Sequence, residues 1–254
     1  EAGATYIGVV SLGELKKVRN AGIQAPILLL NYIDKASVME AIKLDASITV
    51  MDEEILIAIE KAASFQAKKA KVHIKIDTGM RRQGIMLNEI ESALKSASRV
   101  TLEGICSHFA DADNPESLFT NEQIESWNLL VRKIRSKIPS LAYWHISATS
   151  GHAYTDKIDA NVSRLGLGLY GIHGGGSIEK SIHLKPALSM TTELTLVKKI
   201  SKGDHVGYGC TFTAPHDMTI GLIPAGYFEG VETALSGNGK LLLQVDKNLR
   251  PVSI

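Results

Sequence analysis

Only two cysteines, Cys106 and Cys210, occur in the 254 residues. They are too few and too far apart for a disulfide framework, so a reducing, cytoplasmic setting is the expectation. Long hydrophobic runs are also missing. Runs such as Ile27–Leu30 and Leu165–Ile172 fall far short of the roughly 18 residues of a membrane span, and no membrane partner is expected. No basic block stands out either, since 28 Lys+Arg face 27 Asp+Glu for a formal charge of +1. A phosphate-neutralising face for nucleic acid is therefore not expected. The chain has no G-x-G-x-x-G after its first apolar run, no P-loop, no G-x-S-x-G elbow and no metal-ligand spacing. Dinucleotide-binding, NTPase, serine hydrolase and metallohydrolase readings are left without support.

What is present is alternation. Short apolar runs at Tyr6–Val10, Ile27–Leu30, Ser47–Val50, Val72–Ile76, Thr101–Cys106, Leu141–Ile146 and Leu165–Ile172 are separated by segments of helical period. Ser11-Leu-Gly-Glu14 has the form of a capping box opening a helix that runs to Gly22. Further helices are expected from about Lys35 to Leu44, from Asp52, and after a cap at Thr120-Asn-Glu-Gln123. This last helix carries Ile124, Trp127, Val131, Ile134 and Ile138 on one face. Short strands buried on both faces imply a parallel sheet covered by helices. Seven such strands fit a (β/α)8 TIM-like barrel whose first strand precedes Glu1. The texture changes after Gly174-Gly-Gly176. From there, turn residues at Lys202-Gly-Asp204, Ala214-Pro-His-Asp217 and Ser236-Gly-Asn-Gly239 separate β-like runs. The expected division is a barrel over residues 1–184 and part of a mainly-β domain over 185–254. A start at Glu1 rather than Met and an end within strand-like residues read as a fragment.

Catalytic groups of a parallel barrel sit just past the C-terminal ends of its strands. Lys75, Asp77 and Arg82 fall there after the fourth run, His108 after the fifth, and His145 with Thr149 after the sixth. Arg164 opens the seventh. Taken singly, each has a plainer reading, the histidines as hydrogen-bonded core groups and the arginines as solvated charges.

Five ordered segments carry a family likeness. Lys75-Ile-Asp-Thr-Gly-Met80 with Arg82 resembles the KxDTGMxR segment of alanine racemases, which are fold-type III pyridoxal-phosphate enzymes. Ser107-His-Phe-Ala110, Arg164-Leu-Gly-Leu-Gly-Leu-Tyr-Gly171, Gly207-Tyr-Gly209 with Thr211, and Ile223-Pro-Ala-Gly-Tyr227 resemble later segments in the same order. Glu1-Ala-Gly-Ala4 and Pro26-Ile-Leu28 also fit. The resemblance implies pyridoxal 5'-phosphate as cofactor and a two-base (Tyr/Lys) racemisation of L- and D-alanine, supplying D-alanine for peptidoglycan. It implies that Arg164 bonds the cofactor's ring nitrogen and keeps it unprotonated. Thr149 with the N–H groups of Gly166 and Leu167 would hold the phosphate. His108 would support Arg164, and Arg82 would reach the cofactor's phenolic oxygen and the substrate carboxylate. Lys75, carbamylated in some relatives, would orient Arg82, with Met80 supporting the same segment. Tyr208 would be one catalytic base, contributed to the partner subunit of a head-to-tail homodimer, and Tyr227 would contact substrate.

The departures bear on substrate preference. Arg81 stands at the usual glycine, Ala148-Thr149 replaces a usual Asn-Ser, and Phe228-Glu229-Gly-Val-Glu232 departs from the usual ADG segment. Thr233 sits where an arginine of the substrate channel is common. The family's cofactor lysine would lie upstream of Glu1, and its second phosphate-binding tyrosine and MDQ-type segment beyond Ile254. Residues 1–254 alone are accordingly expected to be inactive. A broad-specificity amino-acid racemase and a non-catalytic pyridoxal-phosphate-binding barrel are the alternatives.

Overall fold

The computed structural model describes residues 3–86, 89, 92, 100–174 and 182–254. Glu1 and Ala2 of the opening segment, and the last two of the three glycines that begin at Gly174, lie outside the described residues. The chain divides into two compact units, Glu1–Ala187 and Leu188–Ile254.

The first unit is built on β1 (Ile7–Val9), β2 (Ile27–Leu29), β3 (Ala46–Val50), β4 (Ala70–Lys75), β5 (Val100–Cys106) and β6 (Tyr143–His145). These strands lie side by side in sequence order and every neighbouring pair is parallel. Parallel strands need crossovers, and α1 (Leu12–Asn20), α2 (Val38–Lys43), α3 (Glu53–Phe65) and α4 (Leu118–Lys137) supply those from β1 to β2, β2 to β3, β3 to β4 and β5 to β6. All five residues of β3 are buried, as expected of a strand with a covered face on each side. Ile48, Ile55, Ile59, Val72, Ile74, Ile105 and Trp127 join one apolar core between sheet and helices.

Local chemistry sets the helix starts. Ser11 accepts from Glu14 N at 3.2 Å while the Glu14 carboxylate takes Val10 N at 2.8 Å, so the reciprocal cap is displaced by one residue at its backbone donor. Asp52 caps α3 by accepting from Ile55 N. The helix expected from Lys35 begins only at Val38, because Asp34 draws both the backbone N–H and the hydroxyl of Ser37 into a turn.

Two expectations need correcting. Thr120 does not cap α4. Ser117 does, accepting from Thr120 N at 3.2 Å, while Thr120 is buried in the first turn and donates its hydroxyl to Asp111 O. Nor does Leu165–Ile172 form a seventh strand. It folds as a 3-10 turn, Leu167–Tyr170, closed by Gly171 at φ 75°. Its backbone bonds are mostly local, with Leu169 N to Gly166 O, Gly171 N to Gly168 O and Ile172 N to Leu167 O, and Tyr170 O accepts from Ala187 N. Leu165, Leu167 and Leu169 are all more than half exposed. Any side chain at position 171 would collide with Lys185 O, 2.1 Å from the place of a Cβ.

The second unit consists of antiparallel pairs: β7 (Leu196–Ile200) with β10 (Met218–Leu222), β8 (His205–Val206) with β9 (Phe212–Thr213), and β11 (Lys240–Val245) with β12 (Asn248–Ser253). Between Leu188 and Ile200, the strand is confined to Leu196–Ile200. Ser117→Ala should destabilise the first unit by about 1 kcal/mol, the usual value of a lost helix cap. Urea unfolding followed by circular dichroism measures it, and an unchanged midpoint would return the cap to Thr120.

Candidate active site at the mouth of the parallel sheet

The C-terminal ends of β4, β5 and β6 present the polar groups. After β4, Asp77 Oδ1 accepts from Gly79 N at 2.7 Å and Arg81 N at 3.2 Å, which folds the Asp-Thr-Gly-Met segment into a tight loop. The loop returns to its own strand, with Ile85 N donating to Lys75 O and Asp77 N to Ile85 O. Gly84, at φ 125°, makes that return possible, since a Cβ there would lie 2.9 Å from Asp77 N. Met80 is half-buried on this loop and Arg82 is exposed. Lys75 is buried and donates to Gln83 Oε1 at 3.0 Å, and Gln83 passes the contact to Asn31. Burial pushes the Lys75 ammonium below its usual range, with the Arg82 and Arg164 charges adding to the effect. Lys75 and Arg82 share no hydrogen bond among the described residues.

Arg164 is the hub. Its Nη2 donates to Ser107 O and Ile146 O, both at 2.8 Å, and lies 3.0 Å from His108 Nδ1. Its Nη1 contacts His145 Nδ1 and, at 3.3 Å, His145 O. An arginine only donates, so both imidazole Nδ1 atoms must accept and neither ring carries a proton there. Nε makes no hydrogen bond with the described residues. Burial pushes the His108 imidazole down to about 4, helped by the Arg164, Arg82 and Lys75 charges. His145 is held well below its usual range by burial and then by Arg164.

Beside the hub, Thr149 Oγ1 accepts from Gly166 N at 3.3 Å and Gly168 N at 3.1 Å. Its hydroxyl proton donates to no described residue. A Cβ at Gly166 would meet nothing within 4 Å, so the glycine turn borders open space. Leu167 follows in the same turn with its side chain half exposed. Thus the first unit brings Arg164 and His108 together, and sets Thr149 against the glycine turn. Tyr208 and Tyr227 belong to the second unit. Tyr208 lies between Gly207 (φ 79°) and Gly209 (φ 68°) with its ring fully exposed, and Tyr227 is 80% exposed on another 3-10 turn.

Sequence reasoning missed Gln123. It is buried on α4, accepts from Ala110 N at 2.9 Å and donates to Thr78 Oγ1 and His108 O, which ties the loops after β4 and β5 together. Its only sequence signal was a polar residue on the apolar face of a helix.

A parallel β/α sheet with its polar groups at the C-terminal mouth, followed by a small antiparallel unit, defines a TIM-like barrel protein with an appended β domain. Within that class the chain belongs to the alanine racemase family. Residues 1–174 match the alanine racemase N-terminal domain and residues 187–252 the alanine racemase C-terminal domain. It is 34% identical over 243 residues to alanine racemase 1 of Oceanobacillus iheyensis, covering 94% of this chain and 65% of that protein. The crystal structure of alanine racemase from Streptomyces lavendulae superposes with a TM-score of 0.86 at 26% identity, over 99% of this chain and 68% of that one. A histidine racemase from Leuconostoc mesenteroides superposes at 0.80 with 29% identity, over 95% and 66%. The chain thus spans about two thirds of the length of these relatives. Among the described residues, no helix is long and apolar enough to cross a membrane.

The neutral histidines make stability depend on pH. An unfolded histidine takes up a proton near pH 6.5, whereas His73 and His108 in the folded chain do so only near 4. Between those values the unfolded chain binds more protons, so stability falls as pH falls. The loss approaches about 1.4 kcal/mol per pH unit for each fully buried ring, and less for His108, which solvent partly screens. Urea midpoints at pH 7.5, 6 and 5 should drop steadily. A flat profile would mean that these rings take up their protons in the folded protein at the same pH as in the unfolded chain.

Proposed function

We propose that the whole protein is a pyridoxal 5'-phosphate-dependent amino-acid racemase that interconverts L- and D-alanine. The observation that carries the reading is the Arg164 guanidinium, clamped on Nη1 and Nη2 with Nε–H left to donate. A permanently charged donor of this kind suits a pyridine nitrogen that must stay unprotonated. The phosphate finds matching chemistry in the Thr149 hydroxyl proton and the glycine turn at Gly166 and Leu167, where open space allows close approach. The residues present therefore fit the cofactor.

When bound, the cofactor supplies an electron-withdrawing ring that acidifies the substrate's α-proton. The chain's residues do the rest. Arg164 limits how much negative charge the ring accepts, and His108 and His145 hold the guanidinium in place. Arg82, exposed beside this site, binds the substrate carboxylate and the cofactor's phenolic oxygen, while Lys75 and Met80 support its loop. Racemisation needs a proton acceptor on one face of the α-carbon and a donor on the other. Tyr208 serves one face, and a lysine outside residues 1–254 serves the other. The full exposure of the Tyr208 ring supports its delivery to the site of a partner subunit in a head-to-tail homodimer. Tyr227 lines the substrate entry. The biological role is cytoplasmic supply of D-alanine for peptidoglycan.

The likeness to a histidine racemase is nearly as good as that to alanine racemases, and it supports broader specificity as a second reading. Both readings share the two-base requirement. In the whole protein, Tyr208→Phe should slow α-deuterium exchange from one enantiomer at least tenfold, about 1.4 kcal/mol in the barrier, and leave exchange from the other much less affected. Equal, small losses from both would remove Tyr208 from catalysis. A panel of L-amino acids then separates the two readings, since turnover confined to alanine excludes the broad one.

A further inference from the structure

Behind the active-site face, a second row of polar side chains crosses the interior of the sheet. His145 Nε2 on β6 lies 3.0 Å from His73 Nδ1 on β4. The strand between them is β5, and at the crossing point it carries Gly104, paired in register with both His73 and Tyr143. A Cβ at Gly104 would fall 2.6 Å from His73 Nδ1 and 2.8 Å from Tyr143 O, so only glycine lets the two imidazoles meet across that strand. Tyr143 stacks on the His73 ring with centroids 5.6 Å apart, and Tyr6 closes the edge at 6.0 Å. These contacts hold the ring's plane. Among the described residues the buried His73 Nε2 has no hydrogen-bond partner, and Glu103 Oε2 lies 4.0 Å away. That carboxylate accepts from Ser47 Oγ at 2.5 Å and Tyr6 OH at 3.3 Å.

The direction of this row follows from one fact. Arg164 has only donors, so His145 must accept at Nδ1 and carry its proton on Nε2. Nε2–H of His145 then donates to His73 Nδ1, which leaves His73 with its proton on Nε2, pointing at the carboxylate. Reversing any link would set two N–H groups against each other at 3.0 Å. Among the described residues Arg164 has no ion pair, and its hydrogen-bonded row through His145 and His73 ends 4.0 Å from the Glu103 carboxylate.

We propose that His73 and Glu103 are positioning residues for Arg164. Guanidinium, His145 and His73 form one donor-to-acceptor row, aimed at the Glu103 carboxylate, that locks both imidazoles in the Nε2–H form and fixes the plane of the guanidinium. Its catalytic consequence rests on the reading of Arg164 as the partner of the cofactor's ring nitrogen, whereas the tautomers do not.

The direct test is a side-chain nitrogen–proton NMR spectrum of histidine-15N-labelled whole protein at pH 7, assigned with His73→Asn and His145→Asn. Both rings should show a protonated Nε2 and a bare, accepting Nδ1. An Nδ1–H form or an imidazolium at either ring would overturn the proposal, and this readout needs no substituted Glu103. In Glu103→Leu, His73 should keep its bare Nδ1, because His145 still donates there, while its Nε2–H signal should shift as the facing carboxylate is lost. With cofactor loaded, kcat should fall about tenfold, the order seen when an outer partner of a functional histidine is lost. KM should barely move, and Glu103→Gln, which keeps an acceptor oxygen, should restore most of kcat. An unchanged His73 signal in folded Glu103→Leu would also overturn the proposal. If the tautomers are as stated but the wild-type protein racemises no amino acid, the row stands and the racemase reading falls.

Discussion

A buried guanidinium whose two terminal nitrogens reach five acceptors organises this protein's candidate site. Arg164 draws in Ser107 O, His145 O and Ile146 O, the carbonyls that end β5 and β6, and the Nδ1 atoms of His108 and His145. Burying an unpaired charge is costly, and hydrogen bonds to a charged group return about 1.5–3 kcal/mol each. Here neutral acceptors do all of the compensation. Removing the guanidinium would strip a donor from Ser107 O and Ile146 O, while His145 O would keep Ser107 N. The same donation sets the protonation of His145 and, through it, of His73. Burial, reinforced by the Arg164 charge, lowers the imidazole pKa values.

The rest of the mouth is arranged around this hub by short-range devices. Asp77 closes the loop that carries Met80, Arg81 and Arg82, Gly84 returns it to its strand, and Gln123 binds it to the loop of His108. Thr149 gathers the glycine turn that follows Arg164. Each device is a single side chain or a missing one, and each relies on backbone donors or acceptors that a β/α unit leaves free at its strand ends. A parallel sheet buries its middle and leaves its ends for chemistry.

Much of the fold was legible because parallel strands covered on both faces are short apolar runs, and the six strands from Ile7 to His145 all show that signature. The run at Leu165–Ile172 carries the same apolar signal but buries little of it. Its glycines bond locally and to Thr149, which composition cannot disclose. The α4 cap was misplaced by three residues because Ser117 and Thr120 are equally good cap residues, and only packing of Thr120 against Asp111 O decides between them. In the site, the family resemblance implied that His108 supports Arg164, while the further attachment of Ser107 O, Ile146 O and His145 to that guanidinium could not be read. His73, Glu103 and His145 are separated by dozens of residues and meet only because Gly104 vacates the space between strands. No spacing rule encodes that.

The measurement closest to the central claim is the NMR signal of cofactor labelled with 15N at its pyridine nitrogen, bound to the whole protein between pH 6 and 8. An Arg164 Nε–H donating to that nitrogen requires a neutral, hydrogen-bonded pyridine across the range. Arg164→Glu should convert it to the protonated form. A pyridinium signal in the wild-type protein would contradict the account.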